Sequence, residues 1–562
     1  MHNKNLLKYI IFAAILAIAV LLFAKIIFFR IDLTSEKRYT ITKNSKELLK
    51  NISEPLQVNI YLGEADANIA RLKTAVNEML DEFSVYTAKS LIYKYINPSD
   101  AATDRERYEN YNKLEQRGLT PMSVSVRDNQ GKIIQNTIFA WAEVMLKNDT
   151  IPVCLMQPLG RTSGEENVNT AIESLEYQFI DAIRILTRKS FDKIAFIEGH
   201  GELLELDVFF AQEELHRYYE IYRGEIGDTA DCLADYKAII IAKPTEKFSE
   251  SDKFILDQYI MNGGKVLWLL DAIRISPEEL SKSGISPVVP LDLNLIDMLF
   301  HYGIRVEPSV VQDLQCILTP VNVALLTEPA HFENVPLPYF PLLMPSPYHP
   351  ITKNLMQVKS EYPSYLSQVS EENGIDMQVL LITSNASHVD AAPTNIDLKN
   401  MIQSKPDVYF NMQFIPVAVA MEGEFESVFA HRLPPKNVIN FSKIKEKSVK
   451  NKMIVVADGD IIRNEIQRSE KGSIGILPLG FDRLTGQTYG NNNFIINALQ
   501  YLTEDSSWID IRNRALRLRL LNKLAITQHR VFWQTINVIV PLLLLAMFGG
   551  GFLAVRKRRE MA

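Results

Sequence analysis

The chain has 562 residues, of which 47% are apolar and 23% charged, and its formal net charge is −7. That length leaves room for several domains with real cores, while the small net charge excludes a nucleic-acid binder coated in basic surface. Three scattered cysteines, Cys154, Cys232 and Cys316, contain no C-x-x-C pair, so neither a disulfide framework nor a thiolate zinc site is encoded.

Residues 6–29 read LLKYIIFAAILAIAVLLFAKIIFF, interrupted only by Lys8 and Lys25. The run is long enough to span a bilayer, and its end lacks a small-residue cleavage site, so 1–30 is expected to be an uncleaved transmembrane anchor. A strand at 56–62, a helix at 71–86 and a strand at 91–96 follow from their periodicities and make a β-α-β unit. Strands at 122–126 and 137–146 flank the turn Asp128-Asn129-Gln130-Gly131, and a helix runs over 169–186. The spacing thus predicts a mixed α+β domain at 31–190.

From 191 to 505 the pattern changes to short apolar runs separated by helices: 193–197 (KIAFI), 238–242 (AIIIA), 265–270 (KVLWLL) and 453–457 (MIVVA), with helices at 251–262 and 493–502. Such runs, with no polar alternation, predict an open parallel sheet covered on both faces, an α/β domain of flavodoxin-like type. The proline-rich stretch 320–350 reads as extended loop. Residues 506–530 form a basic amphipathic juxtamembrane segment carrying Arg512, Arg514, Arg517, Arg519 and Lys523, expected to meet membrane lipid or a partner subunit. Residues 531–562 hold a second apolar span that ends in Arg556-Lys557-Arg558-Arg559. Basic residues beyond both spans place both termini in the cytoplasm and the large middle region outside the inner membrane, in the periplasm.

Chemistry is sparse. Glu198-Gly199-His200-Gly201-Glu202 follows a buried strand, where open sheets bind ligands, so Glu198, His200 and Glu202 are the candidate ligand-binding residues. No second His stands at metal-ligand spacing, and a glycine-rich turn whose His and Glu satisfy backbone groups is the plainer reading. Asp458-Gly459-Asp460 could hold a divalent cation, although Asp- and Gly-rich turns are common without one. No G-x-x-x-x-G-K-[ST], G-x-G-x-x-G or G-x-S-x-G motif occurs, so the chain is expected to be neither an ATPase nor an enzyme, and to need no cofactor or metal.

Several longer motifs carry a resemblance: RYTIT at 38–42, EGHGE at 198–202, AKPT at 242–245, YIMNGGKVLW at 259–268, PLDLNL at 290–295 and VQDLQC at 311–316. PYFPLL at 338–343, RLPP at 432–435, LTGQTYGN at 484–491, LRLRLL at 516–521 and the terminal RKRR continue it. Together they resemble the GldG family, gliding-motility-associated ABC transporter accessory proteins of Bacteroidota, over nearly the whole chain. The resemblance implies a partner ATPase and a multi-span permease, with this chain as a non-catalytic accessory subunit linked to gliding motility or associated secretion. That family's α/β region resembles class I amidotransferase-like and intraflagellar-transport-type domains, but the amidotransferase nucleophilic cysteine has no counterpart at the strand ends here. A cell-envelope scaffold without a transport role and a degenerate amidotransferase-like enzyme built on His200 are the alternative readings.

Overall fold

A computed structural model describes residues 40–503, short internal segments apart, and residues 530–561. The expected anchor at 1–30 and the basic segment with Arg512, Arg514, Arg517, Arg519 and Lys523 lie outside the described residues. Tyr39–Arg514 forms one compact unit, and the carboxyl-terminal helix belongs to a second.

The first part of the larger unit begins with α1 (Lys43–Lys50), capped by the Thr42 side chain. Then come β1 (Leu56–Ile60), α2 (Ala67–Tyr86) and β2 (Leu91–Tyr95), with β1 and β2 paired in parallel, as the β-α-β reading requires. α2 starts where Asp66 accepts from Ile69 N at 2.9 Å, and it buries Ile69, Leu72, Val76, Leu80 and Phe83 at helical spacing. β3 (Met122–Arg127) and β4 (Ile133–Ile138) form a separate hairpin, whereas β5 (Trp141–Leu146) pairs with β1 and with β6 (Asp149–Cys154). The single strand expected at 137–146 is therefore two strands in two sheets. The order is β2-β1-β5-β6, and α3 (Gly164–Thr187) packs on α2, with Phe83 and Phe179 edge-to-face at 6.4 Å.

The second part is built on a ten-stranded sheet. In chain order its elements are β7 (Asp192–Glu198), α4 (Phe209–Leu215), β8 (Tyr219–Glu225), β9 (Ala238–Ala242), α5 (Glu250–Met261) and β10 (Lys265–Leu269). After α6 (Pro277–Ser283) come β11 (Cys316–Asn322), β12 (Phe332–Pro345), β13 (Asp376–Ile382), β14 (Pro416–Gly423), β15 (Asn451–Val456) and α7 (Asn491–Thr503). The order is β11-β12-β13-β14-β15-β10-β9-β7-β8, with Val358–Lys359 added beside β12.

Only the half β15-β10-β9-β7-β8 is parallel; from β15 through β14, β13 and β12 to β11 every pairing is antiparallel. The sheet is mixed, which corrects the expectation of an open parallel sheet. The parallel half has the strand order of flavodoxin-type doubly wound sheets, with the first strand between the second and third. The stretch read as loop at 320–350 contains β12, a 14-residue strand with four prolines. Pro336, Pro338 and Pro341 are tolerated because β13 joins β12 only at Met344 and Pro345, and the segment that reaches Tyr339 and Pro341, through Tyr362 N and Ser360 N, asks only for their carbonyls.

The core explains why the parallel strands are legible. All five residues of β9 are buried, and each fully buried isoleucine of Ile239-Ile240-Ile241 contributes about 1.5–3 kcal/mol of transfer free energy. α5 is started by Ser249, which accepts from Asp252 N at 3.1 Å, and is stopped by Gly263 at φ +94°, with Gly264 N donating back to Tyr259 O. In the second unit, α8 (Arg530–Met561) contains Phe532–Arg558, a 27-residue stretch long and apolar enough to cross a bilayer.

Candidate functional site

Each buried strand of the parallel half hands over, at its carboxyl end, to a charged residue. β7 ends in Glu198, β9 is followed by Lys243, Leu270 after β10 is followed by Asp271, and Ala457 after β15 by Asp458. Because the strands are parallel and in register, these groups collect on one edge of the sheet, the edge at which open α/β sheets bind ligands.

At the β7 end, the structure brings His200 and Glu202 together and sends Glu198 elsewhere. His200 Nδ1 lies 3.2 Å from Glu202 and Nε2 lies 3.2 Å from Asp252 on α5, while the ring stacks on Phe248 at 3.7 Å between centroids. Glu202 also accepts from the His200 backbone N–H at 2.7 Å, and the His200 carbonyl accepts from Thr245 and Glu246. Glu198 instead accepts from the Arg223 guanidinium at 2.8 Å. Burial pushes the His200 pKa down, but the hydrogen bonds and charges of Asp252 and Glu202 outweigh it and raise the value to about 9. His200 is thus an imidazolium bonded on both sides, tying the β7 turn to the start of α5. Asp252, the third member, comes from a distant helix.

The second group lies at the ends of β9, β10 and β15. The Lys243 ammonium is paired with Asp460 and lies 3.3 Å from Asp271. Asp271 also accepts from Gly459 N at 2.7 Å. Asp458 is fully buried and accepts from Ser360 Oγ at 2.5 Å, from Glu361 N at 2.9 Å and, through its other oxygen, from Asp460 N at 2.8 Å. Arg463 closes the group, 2.6 Å from Glu361 and 2.8 Å from Asp460. Burial raises the pKa values of Asp271 and Glu361 against the pull of Lys243 and Arg463, and holds Asp458 well above the carboxylate range. Burial lowers and the two aspartates raise the Lys243 pKa, with a net rise.

Gly459 makes this convergence possible, because a Cβ there would lie 2.6 Å from Lys243 Cβ. Lys243 and Tyr362 both adopt left-handed backbone, at φ +55° and +51°, a conformation that costs a non-glycine residue about 1–3 kcal/mol and gathers at functional sites. Both line a cavity of about 360 Å³ whose charged side is Lys243, Asp271, Glu361, Asp460 and Arg463. Asp458 and Asp460, singled out in the sequence as a turn able to hold a cation, do meet a third carboxylate, Asp271, within 4.8 Å. Lys243 places its own ammonium against two of the three.

Sequence reasoning missed Lys243, Asp271, Glu361 and Arg463 as site residues. A signal existed for the first two, since a charge immediately beyond an apolar run is visible in AIIIA-Lys243 and VLWLL-Asp271.

Residues 192–498 match the ABC-transporter auxiliary family, described as an ABC-type uncharacterized transport system, and residues 35–145 match a domain of unknown function, DUF7088. The chain is 24% identical over 291 residues to an uncharacterized protein of Borreliella burgdorferi, covering 51% of this chain and 52% of that one. It thus spans about half the length of that curated relative. The solved mmIFT52 N-terminal domain aligns over 56% of this chain and 98% of its own at 15% identity, with a TM-score of 0.32, too low to carry an argument. The first match begins with β7, ends within α7 and takes in both charged groups and more than half of the chain: this protein belongs to the ABC-type transport system auxiliary family.

Proposed function

We propose that the chain is a non-catalytic, membrane-anchored accessory subunit of an ABC transporter, coupling a large periplasmic region to a permease and a separate ATPase. The observation that carries this reading is a family-matched α/β region on the same chain as an apolar helix long enough to span a bilayer. The absence of a G-x-x-x-x-G-K-[ST] motif from the sequence assigns ATP hydrolysis to another subunit. In this reading 31–190 and 191–505 are two periplasmic domains held between two spans, with both termini cytoplasmic. The basic segment with Arg512, Arg514, Arg517, Arg519 and Lys523 meets anionic lipid or the permease. Glu202 and His200 act within the exterior region as a rigid junction under any ligand, with Glu198 held to Arg223 beside them. The resemblance to gliding-motility proteins makes motility or its associated secretion the process served.

Purification of the tagged full-length chain in mild detergent, followed by mass spectrometry, tests the assignment. Recovery of an ATPase together with a multi-span membrane protein is expected. Recovery of envelope components alone would replace the transporter reading with that of a scaffold.

A further inference from the structure

A second cavity, of about 280 Å³, lies where the two parts of the larger unit meet. Two helices line it: α3 of the first part contributes Thr170, Ser174 and Gln178, one turn apart, and α7 of the second contributes Asn493 and Asn497, also one turn apart. The parts are joined beside it by Tyr177 Oη, which donates to Gln500 Oε1 at 3.3 Å, and by Tyr218 Oη, which donates to Asp181 at 2.8 Å. Thr170 and Asn493 are solvent-exposed, so the cavity opens at the surface. Its volume is near the lower end of small-molecule sites, which favour junctions of this kind.

Helices that pack for stability alone turn apolar stripes to their neighbours, whereas these turn amides and hydroxyls to a cavity. One acceptor is left unmet. Gln178 Nε2 donates to Ser174 Oγ at 3.1 Å, but Gln178 Oε1 is buried without a partner among the described residues, so a ligand with an N–H to donate gains there. Charge is balanced: Asp181 pairs with Arg184 at 2.8 Å, and the other charged lining residues, Glu173 and Lys353, are one of each sign. The wall therefore exerts no net attraction on an ion. Its apolar side is Val153, Met156, Met356 and Ile496, and thioethers adapt to side chains of differing shape. Asn and Gln side chains carry the same C=O and N–H groups as a peptide unit and so match its donor and acceptor together. A polyol would set hydroxyls against the methionine side, and a hydrocarbon would leave the amides unpaired.

We propose that this cavity binds an uncharged, extended segment of another polypeptide, with one apolar side chain seated against Met156, Met356 and Ile496 and the flanking peptide groups hydrogen-bonded to Gln178 and Asn493. The open mouth lets the rest of that segment run on into solvent.

Saturation-transfer NMR on the full-length chain in deuterated detergent, with protein-free micelles as the blank, tests the assignment. The probes are N-acetyl-leucine-N-methylamide, its glycine counterpart, free leucine and glucose. The leucine derivative is expected to bind, with its methyl groups most strongly saturated, and the glycine counterpart to bind several-fold more weakly. Free leucine and glucose are expected not to displace it. Gln178→Met, which keeps the shape of the side chain and removes the acceptor, is expected to weaken the leucine derivative about five-fold or more. Asn493→Ala, at an exposed position, is expected to weaken it several-fold and carries the test if Gln178→Met does not fold. No binding of the leucine derivative, equal or tighter binding of free leucine or glucose, or unchanged affinity in both variants would overturn the assignment.

Discussion

His200 shows how a single side chain stabilises a junction through its charge. With its pKa raised from the ordinary 6.5 to about 9, its pairing with Glu202 and Asp252 is fully present below about pH 6.5 and is lost as pH rises through about 9. The gap in thermal midpoint between the wild type and His200→Gln is therefore expected to be widest near pH 6 and to close between pH 8 and 10; a gap independent of pH would contradict the charged pairing. At Gly459, an added methyl group would meet Lys243, and Gly459→Ala is expected to cost about 1–3 kcal/mol in denaturant unfolding. The residues of the site were legible to the extent that they are local. Glu198, His200, Glu202, Asp458 and Asp460 sit directly after strands that apolarity alone reveals. Asp252 and Glu361 reach the same edge from a helix and a loop tens of residues away, and nothing in their own neighbourhoods marks them; Arg463 follows Asp460 by three residues without a pattern of its own.

Among the elements, the buried parallel strands β7, β9, β10 and β15 declared themselves and the antiparallel strands β11 to β14 did not. AIIIA of β9 is apolar throughout, and KVLWL of β10 is apolar after Lys265, because these two parallel strands have no solvated face. Ile240→Ala is accordingly expected to lower unfolding free energy by about 2–5 kcal/mol. β12 carries four prolines and β13 shifts register against β14, so the pattern of β12 reads as loop until its partner is known. α5 illustrates a second kind of illegibility. Its fully buried Asp257 accepts from Tyr302 Oη at 2.8 Å, Ser427 Oγ at 2.6 Å, Val428 N at 3.0 Å and Gln258 Nε2 at 3.0 Å, fastening segments far apart in sequence. Asp257→Ala strands several of these donors at once and is expected to cost about 3 kcal/mol or more, read as a shift in denaturant midpoint at constant slope.

For the whole molecule, the question is how the large folded region is joined to the membrane. α8 supplies one candidate span, and Leu544 lies near the middle of its apolar stretch. An arginine at mid-span costs about 2.5–3.5 kcal/mol of insertion free energy. In a chain without residues 1–30, Leu544→Arg is therefore expected to release protein from membranes at alkaline pH, and unchanged retention would show that α8 is not the anchor. The proposed contact of Arg512, Arg514, Arg517, Arg519 and Lys523 with anionic lipid should weaken with salt, because screening shortens its reach. An accessory subunit of the proposed kind works on a transporter whose energy comes from another subunit. ATP hydrolysis by the co-purified permease and ATPase, reconstituted in vesicles with and without this chain, tests that role. A rate or coupling that changes several-fold when the chain is present is the expected result. A partner assembly that hydrolyses ATP identically in its absence would contradict an accessory role.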